Sequence, residues 1–230
     1  MLAETQQMRK GIQGVQSQLG AFGKAAKVAG GLVATAFAAG QVVNGIKAIT
    51  SAASDAQQSM GATETVFGKS ADTIIAKSNK AAQAVGLSAN AYRENANLIG
   101  SLFANKGLKG NQLAKQTDLV IKKGADLSAT FGGTASSAVE ALSSAFKGEF
   151  DPLERYGISM KQSTVNTEAA ALAQKKYGKD LKTLSASQQN AITRQATMNL
   201  INKQSAKSTG AFGKETDTLA HQQQVLGAQF

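Results

Sequence analysis

The chain has no cysteine and no tryptophan, one proline and one histidine in 230 residues, and aromatics are 5% of it. Without cysteine, a disulfide framework and a thiolate zinc site are excluded. His221 alone leaves histidine metal sites and triads without partners, and between Ala220 and Gln222 it reads as a surface or interface residue. With so few aromatics, the 42% hydrophobic content leans on alanine, so helix contacts would be close but individually weak. The 23 glycines, many at places that read as helix ends, divide the chain into short helices.

The length allows one large or two small domains and a buried core. A net charge of +10 is compatible with nucleic acid, an anionic membrane or an acidic protein surface as partner. The basic residues are dispersed, with small pairs at Lys122-Lys123 and Lys175-Lys176, and spread charge of this kind usually solvates helix faces. Gly68-Lys69-Ser70 lacks the first glycine of a P-loop, since Thr63 stands there, and no apolar strand precedes it. Gly107-Leu108-Lys109-Gly110 has the form of a KH loop without neighbouring strands, and reads as a helix–helix turn.

Most of the punctuation lies between Ala125 and Met160. Leu127 and Phe131 close one helical pattern and Gly132-Gly133 stop it, because glycine reaches positive φ without a Cβ clash. Thr134 or Ser137 caps the next helix, Ser137 and Glu140 having capping-box spacing, and Ala138, Val139, Leu142, Ala145 and Phe146 form its apolar face. Gly148 ends it. Asp151 then reads as a cap and Pro152 as a first helical residue, with Glu154, Arg155 and Tyr156 giving about one turn before Gly157. Caps and ion pairs account for Glu149, Asp151, Glu154 and Arg155 better than acid–base chemistry does. No nucleophile, base and orienting group can be assembled anywhere in the chain, so no enzyme is expected.

This stretch resembles a segment that recurs in the tail tape measure proteins of long-tailed bacteriophages and prophages. The positions that carry the resemblance are Ala125, Asp126, Leu127, Ala129, Phe131, Gly132 and Gly133, then Ala138, Val139, Leu142 and Ser143, then Gly148, Glu149, Asp151, Pro152, Leu153, Glu154, Arg155, Tyr156 and Gly157. Gly86 to Ala89 upstream, and Thr216 to Ala220 with Gln222-Gln223 downstream, fit more loosely. The resemblance implies a structural protein without cofactor that occupies the tail tube lumen. It would help set tail length and scaffold tube assembly, and would leave during DNA delivery. It further implies tail tube subunits and tail-tip or tail-assembly proteins as partners, and the virion and the host cytoplasm as locations; with the basic residues dispersed, specific nucleic-acid binding is not expected. The positive charge would then match an acidic tube lining. A fully helical chain of this length would span at most about 345 Å, so a helical domain of such a ruler, or a truncated one, is expected here.

Residues 1–65 form a section of their own. Met8, Ile12, Val15, Leu19, Phe22, Ala26, Ala29 and Val33 recur in steps of four and three, and so do Ala39, Val42, Ile46, Ile49, Ala53, Ala56 and Met60. That spacing is the mark of a coiled-coil seam, and Gly11, Gly14, Gly20 and Gly23 weaken the first series. Val42, Ile46, Ile49, Ala53, Ala56 and Met60 are accordingly expected to join copies of the chain. The 19 residues from Val28 to Ile46 carry no charge and reach the length of a membrane span, but Gly30, Gly31, Gly40, Gly45, Gln41 and Asn44 suit a tight helical interface equally well.

Residues 66–230 read as successive helices. One from Ser70 buries Ile74, Ile75, Ala82 and Val85 and stops at Gly86; Ser88 caps the next, with Leu87 and Tyr92 at staple spacing. Gln112 to Phe131 follows, with Leu113, Val120, Leu127 and Phe131 inward. Thr167 to Tyr177, Ser185 to about Lys203 with a Ser185–Gln188 capping box, and a last helix from about Thr216 with Leu219, Leu226 and Phe230 on one side complete the chain. The expected architecture is all-α: an N-terminal coiled-coil-like section, then a bundle of short helices. A basic nucleic-acid-binding helical protein and a membrane-active helical protein are the competing functional readings.

Overall fold

The computed structural model describes residues 54–216 and 218–229, and divides the chain into two units, Met1–Thr50 and Ser51–Phe230. All elements described here belong to the second. The seam residues Val42, Ile46, Ile49 and Ala53, and the uncharged run 28–46, lie outside the described residues.

The described residues are all-α. Helix α1 is described over 54–67. Then come α2 (Ala71–Ser78), α3 (Ala81–Val85), α4 (Ala89–Asn105), α5 (Gly110–Phe131), α6 (Ala135–Lys147), α7 (Gln162–Tyr177), α8 (Ala186–Gln204), α9 (Ala211–Lys214) and α10 (Leu219–Gln229). A 3-10 turn over Asp151–Tyr156 joins α6 to α7. Among the described residues no helix is long and apolar enough to cross a membrane.

The unit 51–230 is built around α5. Its 22 residues span about 33 Å, and it touches α2, α3, α4, α6, α9 and the Asp151–Tyr156 turn. Such a helix must be apolar on more than one side, and Leu113, Ala114, Val120, Ile121, Ala125 and Leu127 are all buried. Its closest neighbour is α6, whose Ala138, Val139, Leu142, Ala145 and Phe146 are buried together as their spacing predicts. Gly124 allows that approach. A Cβ there would stand 2.6 Å from Val139 Cγ2 and 3.1 Å from its backbone nitrogen. The α7–α8 pair packs as an antiparallel hairpin through Val165, Ala169, Ala173, Ile192 and Ala196, all buried.

Several helix boundaries follow from capping chemistry read in the sequence. Ser88 accepts a hydrogen bond from Ala91 N, and Ser185 and Gln188 form a reciprocal capping box. Gly148 and Gly157 end their segments at positive φ, 98° and 66°. Other expectations are corrected. Thr134, not Ser137, caps α6, its Oγ1 accepting from Ser137 N at 3.1 Å, which leaves Glu140 out of any capping box. Asp151 is itself the first residue of its turn, Pro152 the second, and Phe150 precedes them without a side-chain cap. The segment after Ser70 is two helices, α2 and α3, with a break at Asn79-Lys80. Helix α7 starts five residues before the expected Thr167, and α10 starts at Leu219.

Candidate functional site

Seven of the residues that carry the resemblance, Phe131, Gly132, Gly133, Leu153, Arg155, Tyr156 and Gly157, meet at one joint. Helix α5 ends at Phe131, and Gly132 (φ 81°, ψ 178°) and Gly133 (φ 86°) reverse the chain in a region open only to glycine. From the other side the Asp151–Tyr156 turn brings Arg155, Tyr156 and Gly157 against them. The Phe131 and Tyr156 rings meet edge to face with centroids 6.4 Å apart. A Cβ on Gly157 would sit 3.3 Å from the Phe131 ring, and one on Gly133 would sit 3.1 Å from the Arg155 guanidinium. That guanidinium also lies 5.2 Å from the Tyr156 ring centroid. Leu153 and Tyr156 are fully buried beneath the joint.

Phe131 was expected to point inward but is 48% exposed. The apolar row of α5 is complete one turn earlier, at Leu127, and Tyr156 fills the space beyond it, so Phe131 lies over the joint instead of under it. Gly132, Gly133, Gly148, Glu149, Asp151, Pro152, Arg155 and Gly157 are exposed as well. Gly148 and Glu149 do not reach the joint; they close α6, donating to Ala145 O and Ser144 O at 3.1 and 3.0 Å.

Asp126 has a partner that no local pattern reveals. Its carboxylate accepts from Gly210 N at 2.9 Å and Phe212 N at 3.3 Å, and so holds the start of α9 against α5. One turn before, the buried Lys123 donates to Thr209 Oγ1 at 2.9 Å. His221, expected at a surface or interface, is buried inside this unit with its ring 4.6 Å from that of Phe212.

A second cluster, absent from the sequence reading, lies at the middle of α5. Asp118 accepts from the Tyr92 hydroxyl at 2.8 Å and pairs with Lys77 at 2.8 Å and Lys122 at 3.1 Å. Burial pushes the Asp118 carboxyl up, but the Lys77, Tyr92 and Lys122 hydrogen bonds outweigh it and hold it below its usual value. Burial raises the Tyr92 phenol far above its ordinary value, and the Asp118 charge and hydrogen bond raise it further. A signal was present: Asp118 falls in the row Ala114, Asp118, Ile121, Ala125, a carboxylate at a core position. A cleft of about 660 Å³ beside it is lined by Asp72, Lys77, Lys80, Tyr92, Asp118 and Lys122. Two of its three cations are already paired with Asp118, so the cluster reads as a fastener between α2, α4 and α5.

Of the expected seam, the described residues are Ala56, half-buried, and Met60, 39% exposed. Helix α1 faces α4 through Ser59 and Thr63. Arg93 Nε donates to Ser59 Oγ at 2.9 Å, Thr63 Oγ1 to Asn97 Oδ1 at 3.0 Å and Asn97 Nδ2 to Ser59 O at 3.1 Å. Residues 54–67 are thus tied by polar contacts to α4 within the unit 51–230.

Comparison with known proteins adds no relative: no family model, no curated protein and no solved structure matches the chain.

Proposed function

We propose that this chain is a helical domain of a tail tape measure protein of a long-tailed phage or prophage, with a structural and not an enzymatic role. The carrying observation is the likeness of Ala125–Met160 to the segment that recurs in that family. In keeping with it, the residues involved serve packing and turn formation: Gly132, Gly133 and Gly157 make close turns, Phe131, Arg155 and Tyr156 lock them together, and Leu153 anchors them.

On this reading the domain occupies the tube lumen during assembly, helps set tail length and leaves with DNA delivery. Copies associate through the section 1–65, Ala56 and Met60 being the described residues of its seam, and tail tube and tail-tip proteins are the other partners. The net charge of +10 favours an acidic tube lining. The test is made on tails purified from the phage or prophage whose genome encodes the chain. Mass spectrometry is expected to find the chain in the particles, and electron microscopy to find shortened or absent tails after in-frame removal of residues 1–65. Tails of normal length that contain none of this chain would overturn the proposal.

A further inference from the structure

Between α4 and α5 on one side and α7 and α8 on the other lies a cavity of about 380 Å³, away from the motif joint. Phe103, Gln116, Lys176, Arg194, Gln195 and Asn199 are among its lining. No Asp or Glu lines it. Arg194 is the unusual member. Its Nη1 is shut off from solvent and has no hydrogen-bond partner, and among the described residues no carboxylate pairs with it. Its guanidinium carbon lies 5.7 Å from the Phe103 ring centroid, which satisfies one face of the group and leaves its in-plane donors free.

A buried cationic donor left unmade is costly and calls for an explanation, a bound ion among them. Further positive charge stands close by. Lys176 is on the rim, and Lys106, which donates to Phe146 O, is near enough that its ammonium is disfavoured first by burial and then by the Arg194 charge. Burial alone depresses Arg194. Glu168 approaches the lining through Asn199, whose Nδ2 donates to Glu168 Oε1 at 3.2 Å. Gln116, Gln195 and Asn199 add amides that donate or accept as a ligand requires.

We propose that this cavity binds a small oxyanion of the phosphate class, free or as a monoester, with Arg194 as its principal donor and Lys176 as its second charge. Arg194 offers a planar fork that meets two oxygens of one phosphate, and two or more cations without a carboxylate suit a doubly charged group better than a singly charged one. The cavity exceeds a bare phosphate in volume, and the apolar side contributed by Phe103, Leu108 and Met198 leaves room for the organic part of a monoester.

The test uses the full chain, with thermal unfolding followed against inorganic phosphate and, separately, adenosine monophosphate, at ionic strength held constant with sodium chloride. A bound ligand raises stability along a saturating curve, and at 100 times its dissociation constant multiplies the folded-to-unfolded ratio about 100-fold. General stabilisation by phosphate as an excluded salt does not saturate. The expected result is saturation with at least one probe, abolished in Arg194→Met and weakened several-fold in Lys176→Gln, an exposed position where folding is not at stake. Arg194→Met is expected to fold at least as well as the parent in phosphate-free buffer, since it removes an unsatisfied donor. Phosphorus NMR line broadening of either probe by the unaltered chain gives a reading that needs no variant. No saturation and no broadening with either probe, or a saturating response that survives both substitutions, would overturn the proposal.

Discussion

Asp118 concentrates the electrostatic risk of the fold in one side chain. Three groups from three helices converge on it, so each can be removed with a different consequence. Tyr92→Phe keeps the ring and deletes one hydrogen bond to a buried charge, which is expected to cost about 1.5–3 kcal/mol in urea unfolding. The pH dependence has two limbs. Because Asp118 is held below the ordinary 3.8, its contribution is complete above that value and is lost as pH falls toward its depressed folded value. Because Tyr92 is held above 10.0, unfolding is favoured progressively once pH rises past 10, where the unfolded phenol ionises and the folded one does not. Asp118→Asn is expected to flatten the acid limb in a stability–pH curve; an unchanged limb would place the acid sensitivity elsewhere. Gly124 poses a steric counterpart. Gly124→Ala favours the isolated helix, yet its Cβ would overlap Val139, and the net expectation is a loss of about 1–3 kcal/mol. Adding Val139→Ala should recover part of that loss in a double-mutant cycle.

At the level of elements, the joint between the end of α5 and the Asp151–Tyr156 turn separates what anchors from what lies over it. Leu153→Ala, at a fully buried position, is expected to lower stability by about 2–5 kcal/mol, and Phe131→Ala by less than about 1.5 kcal/mol, both read from denaturation midpoints. A larger loss at Phe131 than at Leu153 would mean that the ring, despite its exposure, clamps the turn. Here the sequence was most legible where one short-range interaction decides the outcome. Ser88, Ser185 with Gln188, Gly148 and Gly157 end or start helices as their spacing predicts, because each satisfies an orphan backbone group within four residues. It was less legible where two local solutions compete: Thr134 and Ser137 could both cap α6, and the double-glycine turn selects the nearer. It was not legible where the partner is remote. Nothing near Asp126 announces Gly210, and nothing near Arg93 announces Ser59. The apolar pattern alone gives no reason to read Ser59 and Thr63 as the side of α1 that meets α4.

On the scale of the whole molecule, α5 is the common wall of the unit 51–230, and the parts attached to it differ in how they are held. Helices α4 and α6 bury large apolar faces on it, whereas the segment around α9 is held by Phe212 and by the bonds to Asp126 and Lys123. Asp126→Ala is therefore expected to raise amide exchange in α9 and α10 well before it changes exchange in α4 to α6, a difference that hydrogen-exchange mass spectrometry resolves. Uniform acceleration across the unit would show that the C-terminal segment and the core open as one. The placement of these bonds also bears on the order in which the chain takes shape as it is made. Lys123 and Asp126 leave the ribosome more than eighty residues ahead of Thr209, Gly210 and Phe212. For that interval the central helix can gather its N-terminal neighbours and α6, yet one side of it waits with a buried-type lysine and a carboxylate still in water. The nascent unit therefore carries an unfinished flank at its centre until the segment around α9 emerges to close it.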